Sequence, residues 1–143
     1  MTNEQPLQER HILVADDEAH IGRIIKIKLE QGPFRVSLAF DGQEAIEILE
    51  RENGADLVVL DLMMPRLSGL DVLDHMRGRP EWREIPIVIL TAAGEAKYEQ
   101  DARESGATEF LTKPFSPKKL YTLVARLTGV SPDDGADFPE GSD

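Results

Sequence analysis

Four short apolar runs in this chain end on groups able to do chemistry. "HILVA" runs into Asp16 and Asp17, "LVVL" into Asp61, "IVIL" into Thr91, and "EFLT" into Lys113 and Pro114. Carboxylates crowded together repel and raise one another's pKa. A divalent cation relieves that repulsion, and Mg²⁺ takes oxygen ligands, with one or two carboxylates and phosphate oxygens among them. A carboxylate such as Asp61 is also a nucleophile that can form an acyl phosphate. Its setting, "VVLDLMMP", is an apolar run closed by an acid, and Pro65 cannot continue a strand. Asp61 therefore stands where a buried strand reaches the surface, as a turn residue or as a working group.

Taken singly, each group has an ordinary reading. Asp16 and Asp17 suit the cap of a following helix. Asp61 suits a turn, Thr91 a loop hydroxyl, Lys113 a solvated surface and Phe110 a core. The choice rests on the elements that carry them, and on whether those elements bring their ends together.

The elements alternate. "HILVA" is a short strand. "IGRIIKIKLEQ" places Ile21, Ile24, Ile25, Ile27 and Leu29 mostly on one helical face before Gly32-Pro33 stops it. "FRVSLAF" alternates as a strand. "DGQEAIEILERENG" opens with Asp41 and Glu44 at capping-box spacing and closes on Gly54. "ADLVVLD" is a third strand, "SGLDVLDHMRGR" a short helix and "IPIVILT" a fourth strand. "GEAKYEQDARESG" is a polar helix, "ATEFLT" a fifth strand, and "SPKKLYTLVARLTG" a last helix with Ser116 as N-cap and Pro117 in its first turn. Five β-α units imply an α/β fold with a mainly parallel sheet and helices on both faces. In such sheets ligands bind outside the carboxyl ends of the strands.

With these residues in order, the stretch from about 10 to 129 resembles the receiver domain of two-component response regulators. Asp16-Asp17, Asp61 in "DLMMP", Gly69, Thr91-Ala92, Phe110 and "TKPF" carry the resemblance. It implies a flavodoxin-like doubly wound, five-stranded parallel sheet in order 2-1-3-4-5, which sets Asp16, Asp17, Asp61, Thr91 and Lys113 on one rim. It implies Mg²⁺ held by Asp16, Asp17, Asp61 and the main-chain carbonyl of Met63. It implies Asp61 as phosphoacceptor, with Thr91 and Lys113 assisting, and a cis bond at Lys113-Pro114. It implies phosphoryl transfer from a histidine kinase or phosphotransfer protein, self-catalysed phosphorylation and dephosphorylation without turnover of an outside substrate, and a switch through Thr91 and Phe110. No organic cofactor is implied. A weak phosphorylation-dependent homodimer through Lys97, Glu109 and Arg126 is a further expectation.

Three other functions compete. An aspartyl-nucleophile phosphatase carries an acid two residues after its nucleophile, where this chain has Met63. A flavodoxin-type carrier needs a Gly/Ser/Thr-rich phosphate loop after the first strand, and "DDE" repels phosphate unless a metal intervenes. A degenerate receiver serving as a protein-binding module would normally have lost Asp61, Thr91 or Lys113, and all three are present.

The gross composition agrees. The 143 residues suggest one domain, and 41% hydrophobic residues suffice for a core. Without cysteine there is no disulfide, thiolate metal site or thiol nucleophile. His11, His20 and His75 share no metal-ligand spacing. A formal charge of -11 argues against a nucleic-acid surface. No apolar run approaches the roughly 18 residues of a membrane span, and a cytoplasmic location is expected. Residues 1–9 read as a polar N-terminal extension. Residues 130–143, with five acids and no base, read as an acidic disordered tail. A stand-alone receiver is expected, with a receiver cut from a larger regulator as the alternative.

Overall fold

The computed structural model describes residues 9–131. Residues 1–8 and 132–143 lie outside it, and with them nearly all of the expected N-terminal extension and acidic tail. Five strands, β1 (Arg10–Ala15), β2 (Phe34–Ala39), β3 (Leu57–Asp61), β4 (Ile87–Thr91) and β5 (Glu109–Thr112), alternate with five helices. The helices are α1 (Ala19–Leu29), α2 (Gly42–Glu52), α3 (Gly69–Arg77), α4 (Ala96–Glu104) and α5 (Pro117–Thr128). The strands pair in parallel in the expected order 2-1-3-4-5.

A side-chain period of two divides the central strands between two cores. Leu13, Val58, Leu60, Ile87 and Ile89 face the layer of α2, α3 and α4, among Leu49, Leu73 and Met76. Ile12, Val14, Leu57, Val59, Val88 and Leu90 face α1 and α5, among Ile25, Leu29, Tyr121 and Val124. Burial on both faces is why β3 and β4 read as unbroken apolar runs. Edge strand β2 instead alternates, with Arg35 exposed between buried Phe34 and Val36.

Some boundaries depart from the sequence reading. β2 ends at Ala39, because the Phe40 N–H donates to Glu44 Oε1 (2.8 Å) and leaves the ladder. β5 begins at Glu109 instead of Ala107, because the Thr108 hydroxyl takes the Ile87 N–H (2.9 Å) that a ladder carbonyl would accept. The αL C-cap of α2 is Asn53 (φ 62°), with Gly54 following. A 3₁₀ turn at Pro80–Trp82, absent from the sequence reading, tucks Trp82 against the α2–α3–α4 core. Val130, placed by sequence at the start of the tail, is buried in the α1–α5 core, and its N–H donates to Ala125 O (2.8 Å).

Arg77, at the end of α3, fastens the far end of this layer. Its guanidinium donates to Ile85 O (2.8 Å), Arg83 O (2.9 Å) and Gly106 O (2.9 Å). It thereby ties α3 to the turn before β4 and to the turn before β5. Charge-assisted bonds to backbone contribute more than neutral ones, and removal leaves carbonyls short of a donor. Arg77→Ala is therefore expected to destabilise by about 2–3 kcal/mol. Urea unfolding checks this as a lowered midpoint with unchanged slope.

Candidate phosphoacceptor and metal site

The register places the acids. Ala15 of β1 lies opposite Leu60 of β3, so the next residues, Asp16 and Asp61, emerge side by side at the carboxyl rim. Asp16 and Asp61 are buried, at 1% and 8% exposure, and Asp17 is exposed. Asp16, Asp17 and Asp61 each offer one carboxylate oxygen, and the three oxygens lie within 4.8 Å of one another. Neither Asp16 nor Asp17 caps α1: Glu18 occupies the N-cap, and the Glu18 N–H donates to Asp16 Oδ1 (2.9 Å).

Lys113 reaches the same rim from the end of β5. Its N–H donates to Thr91 O (2.6 Å), which joins the ends of β4 and β5, and its bond to Pro114 is cis, as the resemblance implies. The ammonium lies 2.9 Å from Asp16 Oδ2, 3.0 Å from Glu18 Oε1 and 3.4 Å from Asp61 Oδ2. The contact with Asp16 is close but poorly aligned, so Asp16 Oδ2 is buried with no well-directed donor. Three acids thus contact one cation, and Asp17 stands beside two of them. Burial first, and the Asp16 carboxylate second, push the Asp61 pKa up to about 7, although Lys113 opposes the shift. Burial disfavours the Lys113 charge, but its close contacts with Asp16 and Glu18 and the field of Asp61 outweigh that and raise its pKa.

The donor set fits a hard divalent cation. All its atoms are carboxylate oxygens, one of them buried without an aligned donor, and the excess negative charge is what such an ion neutralises.

The loop from β3 to α3 is held tightly against Asp61. A Cβ on Gly69 would lie 2.2 Å from Asp61 O, and one on Gly42 would lie 2.0 Å from Leu67 O, so no side chain fits at either position. The Leu62 N–H donates to Leu90 O (3.0 Å), the Gly69 N–H to Leu62 O (3.0 Å), and the Met63 N–H reaches Asp61 Oδ1 at 3.4 Å. Ser68 and Asp71 form a capping box at the start of α3. Arg66, in the left-handed region at φ 66°, donates to Asp41 Oδ2 (2.6 Å), while Asp41 Oδ1 caps α2 by accepting the Glu44 N–H.

The sequence reading named Asp16, Asp17, Asp61, Thr91 and Lys113, and all five stand at this rim. Thr91, 2% exposed, is the last residue of β4. Glu18 as a Lys113 partner and Arg66 as the loop's tether were missed. "DDE" hinted at the first, and nothing local to Arg66 signals the second. Phe110 lies one strand away, half-buried, with the Arg103 guanidinium 4.4 Å from its ring centre. Of the trio named for a dimer, Glu109 and Arg126 pair within one chain at 3.6 Å, and Lys97 is exposed on α4.

The Asp61 shift sets a pH dependence for the metal-free protein. A carboxyl whose folded pKa is raised favours folding while protonated. That contribution is full below the ordinary carboxylate range and is lost as pH rises through about 7. Asp61→Asn cannot ionise, so it is expected to raise Tm at pH 8, with the gain shrinking towards pH 5. Thermal melts with a chelator present test this, and an equal difference at both pH values would assign the effect to packing instead of charge.

Comparison with known proteins agrees with this geometry. The family model for the response regulator receiver domain matches residues 12–125. The transcriptional regulatory protein SrrA of Staphylococcus aureus is 40% identical over 116 residues, 81% of this chain and 46% of SrrA, so the chain spans a little under half of that relative. A receiver domain of a Francisella response regulator superposes with a TM-score of 0.75 at 36% identity, covering 85% of this chain and 98% of that one. The chemotaxis response regulator CheY4 of Vibrio cholerae gives 0.78 at 27% identity, covering 84% and 99%. Among the described residues no helix is long and apolar enough to cross a membrane. With its parallel sheet, its acidic triad and the family match over most of its length, the chain belongs to the response regulator receiver domains.

Proposed function

We propose that this receiver accepts a phosphoryl group on Asp61 from the phosphohistidine of a histidine kinase or phosphotransfer protein, and that the modified state changes affinity for a downstream protein. The observation that supports this most is the setting of Asp61: a strand-end carboxylate, flanked by Asp16 and Asp17, with the Lys113 ammonium 3.4 Å from Oδ2.

An Asp61 carboxylate oxygen attacks phosphorus, the bond to the histidine nitrogen breaks, and an acyl phosphate results. Such transfers depend on positioning and on neutralising the phosphoryl oxygens. Lys113 supplies one positive charge. Its pair with exposed Glu18 is solvent-screened and weak, so a phosphoryl oxygen can replace Glu18 as its partner. Asp16, Asp17, Asp61 and the Met63 carbonyl would hold Mg²⁺, which supplies the rest of the neutralisation. The Thr91 hydroxyl donates a hydrogen bond to the phosphoryl group, and small, exposed Ala92 leaves it room. As Thr91 is drawn inward, Phe110 rotates towards the vacated space, which couples the rim to the face of α4, β5 and α5.

Asp61→Asn is expected to abolish acid-labile phosphate incorporation from a small phosphodonor with Mg²⁺. Asp17→Ala is expected to weaken Mg²⁺ binding and slow transfer. Incorporation into Asp61→Asn at the wild-type rate would move the site elsewhere.

The lifetime of the acyl phosphate has its own test. The side chains two residues after Asp61 and Thr91 are exposed Met63 and Ala93, and neither can hydrogen-bond an attacking water. Slow intrinsic hydrolysis follows. Met63→Asn with Ala93→Glu is expected to speed phosphate loss several-fold, by about 1 kcal/mol of barrier, read as decay after donor removal. An unchanged decay would show that these rim side chains do not control it.

A further inference from the structure

A groove of about 690 Å³ runs between β5 and α5, and it differs in character from the rest of this acidic molecule. Its apolar lining comes from Phe110, Leu111 and Leu123, all half-buried. Its charged lining is Lys118, Lys119 and Arg126, against the single acid Glu109. The chain as a whole carries -11. A cation-rimmed apolar groove selects an acidic segment with a hydrophobic anchor.

The chain's own C-terminal segment has that composition. Residues 132–143, "PDDGADFPEGSD", contain Asp133, Asp134, Asp137, Glu140 and Asp143, no base, and one large apolar residue, Phe138. The segment also starts in the right place. Gly129 (φ 78°) turns the chain off the axis of α5, and Val130 is anchored by its N–H on Ala125 O and by its burial. Phe138 lies eight positions beyond Val130, a reach of up to about 26–29 Å. The 12 residues of α5 span only about 18 Å. Phe138 can therefore reach Phe110 and Leu123. By chain length alone, Asp133 and Asp134 can reach Arg126 at the close of α5, and Glu140 and Asp143 can reach Lys118 and Lys119 near its start.

We propose that residues 132–143 dock in the β5–α5 groove of the same molecule, with Phe138 among Phe110, Leu111 and Leu123 and the acids on Lys118, Lys119 and Arg126. Tethering gives the segment an effective concentration in the millimolar range, so individually weak contacts suffice. The charged contacts are solvent-facing and weaken with salt. A docked segment competes with any protein that uses this groove. Docking is expected in the unphosphorylated protein, where Phe110 lines the groove.

The absence of cysteine allows a clean test on the full chain. A nitroxide is attached to Ser142→Cys, and broadening of backbone amide signals is mapped in dilute ¹⁵N-labelled protein. Leu111, Thr122 and Leu123 are expected to broaden. That broadening should be lost in Phe138→Ala and in the double variant Lys118→Glu/Lys119→Glu, and reduced at high salt. Acyl-phosphate formation on the same samples reports separately on the Asp61 reading. Three outcomes would overturn the proposal. The groove amides stay sharp, the broadening survives both variants, or it appears only when spin label and ¹⁵N are on different molecules, which would make the contact one between copies.

Discussion

One lysine is asked to neutralise several carboxylates, two of which, Asp16 and Asp61, are buried from water. Lys113 lies within 3.4 Å of oxygens from Asp16, Glu18 and Asp61, and Asp17 stands beside them. A buried charge needs a partner, and the site is left with a net negative excess. Relaxation by moving apart is prevented, because the acids sit on strand ends whose spacing is fixed by the parallel ladder. The ladder is held in turn by a core on each face. The site is therefore poised to gain by binding positive charge, and in the proposed reaction the same lysine would meet phosphoryl oxygens.

The β3–α3 loop transmits this constraint. It must leave β3 sharply and return against the strand's last carbonyl, so Gly69 is packed onto Asp61 O and Gly42 onto Leu67 O. The Arg66–Asp41 pair closes the loop against the start of α2. Asp41 is buried but Arg66 is exposed, and a pair with a solvated partner contributes little to global stability. Its effect is local, because it limits the positions open to the Met63 backbone beside the acids.

The route away from the rim has a resting arrangement set by a different force. Arg103 lies over the Phe110 ring, a contact worth about 0.5–1 kcal/mol at an exposed site. In the proposed switch, inward rotation of Phe110 would give up that contact for packing behind Thr91. Phe has no hydroxyl with which to gain a hydrogen bond there. The two positions of the proposed switch would thus be balanced by small terms, as a two-state element requires if a local chemical change is to shift it.

The sequence alone determined whatever depends on neighbours along the chain. Strand runs ending in Asp16, Asp61, Thr91 and Lys113, the caps at Asp41 and Ser116, and the turn at Gly129 are local patterns, and the fold and rim could be read from them together with the family resemblance. Some local features were legible but unread, such as the Ser68–Asp71 capping box and the Asn53 cap. What only the tertiary structure decided are the side-chain contacts between different elements: Glu18 with Lys113, Arg66 with Asp41, Arg77 with Gly106, and Arg103 over Phe110. The last of these is short in sequence but depends on how α4 lies against β5. Long charged side chains have many rotamers and no local preference for a partner, so their pairing is fixed only when packing of the apolar faces has set the distances between elements.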